Sequence, residues 1–187
     1  SERQGDWNWG NVQSAGGCCL VVGANLYFSL SGRAGVPGTS GSGVCSTGLA
    51  ALRRDGFASM DADEEEGVLT TRPVRFRGKY LFVNLDAPEG QLRLEVLDEG
   101  GHVIAPFAAA NCIAVRGDTT LAEVRWNGAA DLSGLAAKPV RFRFYLRKGS
   151  LYAFWISAEK SGASRGYLAA GGPGFTGPTD TLGKGEE

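Results

Sequence analysis

The chain has 187 residues, 43% hydrophobic and 21% charged, which suits one ordinary globular domain or a domain plus a substantial piece of another. Nineteen Lys and Arg against twenty Asp and Glu leave a formal charge of -1, so no global field draws the protein onto nucleic acid or an anionic membrane, and any partner must be recognised locally. No apolar run approaches the roughly 20 residues that span a bilayer, and residues 1–20 lack the basic start and apolar stretch of a signal peptide, so the chain is either mature or cut from something longer.

Residues 1–17 are polar and glycine-rich, yet they hold Trp7 and Trp9 two positions apart, with Asp6, Asn8, Asn11 and Gln13 beside them. Cys18 to Val22 and Leu26 to Leu30 read as two short strands around the tight turn Gly23-Ala24-Asn25, an N-terminal hairpin. A long exposed loop, Ser31 to Ser46, follows. Thr47 to Arg54 reads as a further strand, closed by the turn signal Arg54-Asp55-Gly56-Phe57. The acidic run Asp61, Asp63, Glu64, Glu65 and Glu66 is a solvated loop in the simplest reading; the alternative is a calcium site using Asp61 and Asp63, although the regular ligand spacing of an EF-hand is missing.

The next ninety residues supply strand after strand: Val68 to Thr71, Val74 to Phe76, Tyr80 to Asn84, Gln91 to Leu97, Val103 to Ile104, Leu121 to Trp126, Val140 to Leu146 and Leu151 to Ile156. The clearest places Val140, Phe142, Phe144 and Leu146 on one face and Arg141, Arg143, Tyr145 and Arg147 on the other, a period-2 pattern that no helix can bury on one side. Arg141, Arg143 and Arg147 are expected to meet Glu95 or Glu123 on neighbouring strands, or else to present an arginine face to an acidic glycan or a partner module. Leu151 to Ile156 is apolar on both faces and predicts a central, doubly covered strand. Asp98-Glu99-Gly100-Gly101 and Lys148-Gly149-Ser150 both read as hairpin turns, and Asp131 to Ala137 as one short helix capped by Asp131 or Ser133. The fold class is all-β: an antiparallel β-sandwich, jelly-roll or concanavalin-like, with an extra N-terminal β-hairpin. The Gly- and Pro-rich tail, residues 158–187, wraps the surface or frays.

The chemistry-bearing residues exclude more than they identify. Cys18, Cys19, Cys45 and Cys112 contain no Cys-x-x-Cys pair and the only histidine is His102, which argues against zinc. Two readings of the cysteines stand open: disulfides that reach Cys45 or Cys112, since a Cys18–Cys19 bridge is strained, or free thiols acting as small hydrophobes. Gly162-Ala163-Ser164-Arg165-Gly166 matches Gly-x-Ser-x-Gly in spacing alone, in the Gly-rich tail and without the strand-to-helix setting of a nucleophile elbow, and there is no phosphate-cradling loop, so neither a serine hydrolase nor a nucleotide cofactor is expected, and no cofactor at all is implied. A glycosidase requires two opposed carboxyls, for which Asp6, Asp55 and Asp118 are the loop candidates, each with an ordinary turn role as the competing reading. Trp7 and Trp9 either plug a sheet edge or stack on sugar rings, with Asn11 and Gln13 supplying hydrogen bonds to hydroxyls.

The phrases Cys45 to Ala50, Leu52 to Ser59, Leu69 to Pro73, Leu81 to Asn84 and Lys138 to Phe144 resemble the C-terminal part of bacterial proteins similar to glycoside hydrolase family 32, over roughly Trp7 to Ile156. In those proteins a five-bladed propeller carries the carbohydrate chemistry and a β-sandwich follows. The resemblance implies that residues 1–56 correspond to a final propeller blade and 57–157 to the sandwich. The family's Asn-Asp-Pro, Arg-Asp-Pro and Glu-Cys segments are absent here, and Arg54-Asp55-Gly56 mimics the second only superficially. The expectation is therefore a non-catalytic accessory portion, secreted or periplasmic, whose partners are carbohydrate and either the missing blades of a parent chain or a second copy. The alternatives are a purely structural or oligomerisation module and a glycosidase using its own loop carboxylates.

Overall fold

A computed structural model describes residues 3–14, 16–168 and 170–184. It is all-β and antiparallel throughout; among the described residues the only helix is a 3-10 turn at Ser133–Leu135, where the Asp131 carboxylate accepts a hydrogen bond from the Ser133 amide at 2.8 Å. None of it is a helix long and apolar enough to cross a membrane. The chain divides into two compact units, one made of residues up to Arg54 together with Leu168–Pro178, the other of Asp55–Tyr167 with the residues from Thr179 onward.

The first unit is one sheet, and its polar N-terminal stretch contributes a strand that its composition does not announce. β1 (Asn11–Ser14) and β2 (Leu20–Val22) lie end to end along one edge of β3 (Asn25–Arg33), and β4 (Cys45–Arg53) covers the other edge. The predicted hairpin is present: Val22 pairs with Asn25 across Gly23, whose φ of 54° is a conformation that glycine adopts without penalty. Register assigns the faces. Val12, Val21, Leu26, Phe28, Leu30, Ala50 and Leu52 share one side, while Asn11, Gln13, Tyr27, Ser31, Arg33, Thr47 and Leu49 share the other.

In the second unit the organising element is β7 (Tyr80–Leu97), a single strand of 18 residues where the sequence predicts two. Along one of its edges run β9 (Arg141–Arg147), paired with Gln91–Leu97, and then β10 (Gly149–Ser157), paired with Tyr80–Asp86. β9 and β10 therefore do not pair with each other. Lys148-Gly149-Ser150 is a corner, not a hairpin turn, and β7 bends beside it at Ala87–Leu92, where the register with β8 also shifts. Two glycines permit the bend: a Cβ on Gly149 would meet the Asp86 carbonyl and the Ala87 side chain at 2.6 Å, and one on Gly90 would overlap the Arg147 and Lys148 carbonyls. Folding this ribbon back on itself produces the sandwich. β8 (Val115–Val124), β5 (Met60–Ala62) and β6 (Gly67–Thr70) complete the layers.

The alternation in β9 does what its pattern requires. Val140, Phe142, Phe144 and Leu146 enter a core with Leu81, Val83, Leu85, Leu92, Leu94, Val96 and Leu151, tied by the Phe142–Phe154 and Phe144–Phe154 ring pairs at 5.9 and 5.0 Å. β10 is covered on its second side as well, by the C-terminal residues: Trp155 stacks on Phe82 at 5.7 Å and donates to the Gly162 carbonyl at 2.9 Å, while Lys184 lies over the Phe82 ring. The tail residues assigned to this unit wrap its surface.

Candidate functional site

Three places bear on function: the tryptophan segment, the acidic positions and the arginine face. Trp7 is set by glycines. Gly32 and Gly48 lie on the same face of β3 and β4, and the six-membered ring of the indole occupies the space where their side chains would be; a Cβ on Gly48 would lie 2.8 Å from Cζ2 and 3.0 Å from Cζ3. The ring rests on bare backbone, and 40% of the Trp7 surface is accessible. Its approach is fixed by a turn in which the Trp9 amide donates to the Asp6 carbonyl at 3.1 Å, followed by the Gly10 amide donating to the Arg33 carbonyl at 2.8 Å. Trp9 packs against Gly35, whose φ of 69° and close approach to Gly10 exclude a side chain.

Asn11 and Gln13 do not join this platform. Asn11 pairs with Arg33 and Gln13 with Ser31, which places both on the face of the sheet opposite Gly32, Gly48 and Trp7. The predicted set of Trp7, Trp9, Asn11 and Gln13 is thus split by the period-2 geometry of β1, a strand the sequence pattern did not signal. Asp6 and the half-buried Asn8 remain the polar neighbours in sequence on the Trp7 segment. Gly48 was legible as a glycine inside a strand pattern, which marks a position of close approach, whereas Gly32 fell in the stretch read as a loop because β3 runs on to Arg33.

The three candidate catalytic aspartates take separate places. Asp6 is in the N-terminal turn of the first unit, and Asp55 opens the second with φ 54°. Asp118 lies on β8 directly opposite Asp86. Register extends that pair into a row: Asp61 of β5 opposite Ser150 of β10, Ser150 opposite Asp86, Asp86 opposite Asp118. Leu85 and Ala87 point to the core, so the row lies on the outer face. Asp86 was not anticipated, because Asp86-Ala87-Pro88-Glu89-Gly90 has the composition of a turn. Hydrogen bonds from Ser150 and Ser59 hold the Asp61 carboxyl below its usual range, and a hydrogen bond from Lys148 does the same for Glu64, which it meets at 2.7 Å. A lowered pKa suits a permanent acceptor and is the wrong direction for a general acid. Asp61 and Asp63 border an open depression of about 450 Å³ with Glu64, Glu89 and Ser150, but among the described residues no three Asp, Glu, His or Cys side chains are grouped to hold a metal.

The arginine face is internally neutralised at its centre. Glu95, 7% exposed, accepts from Arg143 Nη1 at 2.9 Å and from the Tyr145 hydroxyl at 2.7 Å, and Arg93 pairs with Glu66 at 3.2 Å. Burial raises the Tyr145 pKa, and its bond to Glu95 adds to the rise. Arg141 instead donates to the Thr71 carbonyl, and β9 never reaches Glu123. None of the cysteines is bridged: Cys18 and Cys45 are exposed, Cys19 is partly covered, and Cys112 is buried, its Sγ accepting from the Leu94 amide at 3.3 Å. Burial drives the Cys112 pKa up. No protein-family model, no curated protein and no solved structure matches the chain.

Proposed function

We propose that this chain is a non-catalytic accessory β-module of a glycoside-hydrolase-like protein, working outside the cytoplasm, and that it binds carbohydrate through Trp7. The observation that carries the reading is the indole seated on Gly32 and Gly48 with 40% of its surface accessible. An aromatic ring fixed on backbone loses little rotamer freedom when a sugar's C–H face stacks on it, and the Asp6 and Asn8 side chains nearby in sequence supply acceptors and donors for hydroxyls. Asn11 and Gln13 have no part in this contact. One such platform gives weak affinity, with Kd about 1 mM, or about 4 kcal/mol.

The test is tryptophan emission during titration with a panel of neutral oligosaccharides. A saturable shift that vanishes in Trp7→Ala and survives Gln13→Ala is expected. A shift that persists in Trp7→Ala, or no shift with any glycan, overturns the assignment. The non-catalytic part fails if the purified chain releases reducing sugar and loses that activity on Asp6→Asn, Asp55→Asn or Asp118→Asn.

A further inference from the structure

The first unit leaves one strand edge without a partner strand, and the hydrogen-bond phase of that edge specifies what fits it. The Arg54 amide donates to Ala24 and the Ala34 amide to Val44, at 2.9 and 3.0 Å, which continues the β3–β4 ladder at both ends. The even-numbered residues of β4 therefore exchange backbone bonds with β3, and Thr47, Leu49 and Ala51 turn their N–H and C=O groups outward. Among the described residues no strand pairs with that side of β4. Edges of this kind are ordinarily guarded by proline, charge or a bulge. Cys45 to Leu52 has no proline and no charged residue, and its register with β3 runs unbroken.

We propose that this edge is a homodimer surface, onto which a second copy adds its own β4 antiparallel about a two-fold axis at Leu49. The segment is self-complementary in that register. Leu49 falls opposite the second copy's Leu49, and Thr47 opposite Ala51 in both directions; all three are outward-facing, so each pair exchanges two bonds, about six in total. On the other face Gly48 falls opposite Ala50, two small residues, beside the Trp7 indole that lies over Gly48. Leu49 is 65% exposed, and the axis brings the two leucines directly opposite each other, within side-chain contact across the strands. Arg53 is four residues from the axis, so the two copies' Arg53 side chains stand roughly 26 Å apart along the ribbon, beyond the screening length of physiological salt. One strand pair buries less than a standard interface of about 1,600 Å², so the dimer is a reversible one in the micromolar range or weaker.

Sedimentation velocity of the full chain from about 1 to 500 µM should show a monomer–dimer equilibrium. Ala51→Pro removes an outward N–H without touching the β3 ladder, and Leu49→Lys places two cations on the axis; each should weaken association at least tenfold. Amide exchange at high concentration should protect Leu49 and Ala51 in the parent chain only. A monomer throughout the range overturns the proposal. So does a dimer that survives Leu49→Lys, a variant that leaves the backbone free to fold even if Ala51→Pro does not, or one whose protected amides lie outside β4.

Discussion

Gly48→Ala tests the tryptophan platform most directly. The new Cβ would stand 2.8 Å from Trp7 Cζ2, about 1 Å inside ordinary carbon contact, and β4 cannot retreat because its even-numbered residues are bonded to β3. The indole must lift. Overpacking of this kind costs about 1–3 kcal/mol, against which reduced unfolded-state freedom returns about 0.4–1, leaving a net loss of about 1–2 kcal/mol. Gly17→Ala is the control: nothing lies within 4 Å of its Cβ position, so its effect should stay within about 0.5 kcal/mol. Urea unfolding supplies the stability, and acrylamide quenching of tryptophan emission reports the ring, with greater quenching expected in Gly48→Ala alone. Unchanged stability and unchanged quenching in Gly48→Ala would mean that the ring does not rest on β4, and the argument for a ligand platform would go with it.

Glu95→Ala leaves Arg143 and Tyr145 without their shared acceptor; because the Arg143 side chain is about a third exposed, the cost should be about 2 kcal/mol and not the larger penalty of a fully buried pair, with Tyr145→Phe costing about 1 in the same denaturation assay. Phe142→Ala, at the centre of the ring cluster, should cost about 3–5 kcal/mol. Asp61, Glu64, Asp98 and Asp131 all have folded-state pKa values below their ordinary 3.8 or 4.5, so their contribution is complete above those values and is lost as pH falls through the lowered ones; carboxyl NMR should show Asp61 returning upward in Ser150→Ala. A thiol reagent should modify Cys18 and Cys45 fastest and Cys112 only on unfolding; rapid native reaction at Cys112 would contradict its burial.

The fold was legible wherever one face of a strand alone meets the core. Val140 to Leu146 declares itself residue by residue, and Leu151 to Ile156 announces its double cover by lacking polar positions. The short helix at Asp131 to Ala137 contracted to a 3-10 turn whose N-cap is Leu132 and not Asp131 or Ser133, although the Asp131 carboxylate does accept from the Ser133 amide just ahead of it. What the pattern concealed is long-range. Pro88 and Gly90 look like a turn, yet they let β7 curl while it keeps its partner, because Gly90 exists for the close approach of Arg147 and Lys148. Lys148-Gly149 looks like a hairpin for the same reason, since turn residues serve corners equally well. At the tryptophan segment, residue types drew attention to Trp7 and Trp9 but not to how their neighbours are placed: Asn11 and Gln13 belong to a four-residue polar strand whose existence depends on pairing with Arg33 to Leu30, and no local signal carries that.

An 18-residue strand that serves both layers also dictates how the second unit comes together. β7 aligns Leu85 with Leu151, Leu94 with Phe144 and Leu81 with Val124, partners roughly forty to seventy residues away along the chain, so little of the ladder forms before distant segments have been gathered. Such a topology folds in milliseconds to seconds and not in microseconds. Because the same backbone belongs to both layers, neither can melt while the other persists, and hydrogen exchange from the centre of β7 should proceed only through global unfolding of this unit.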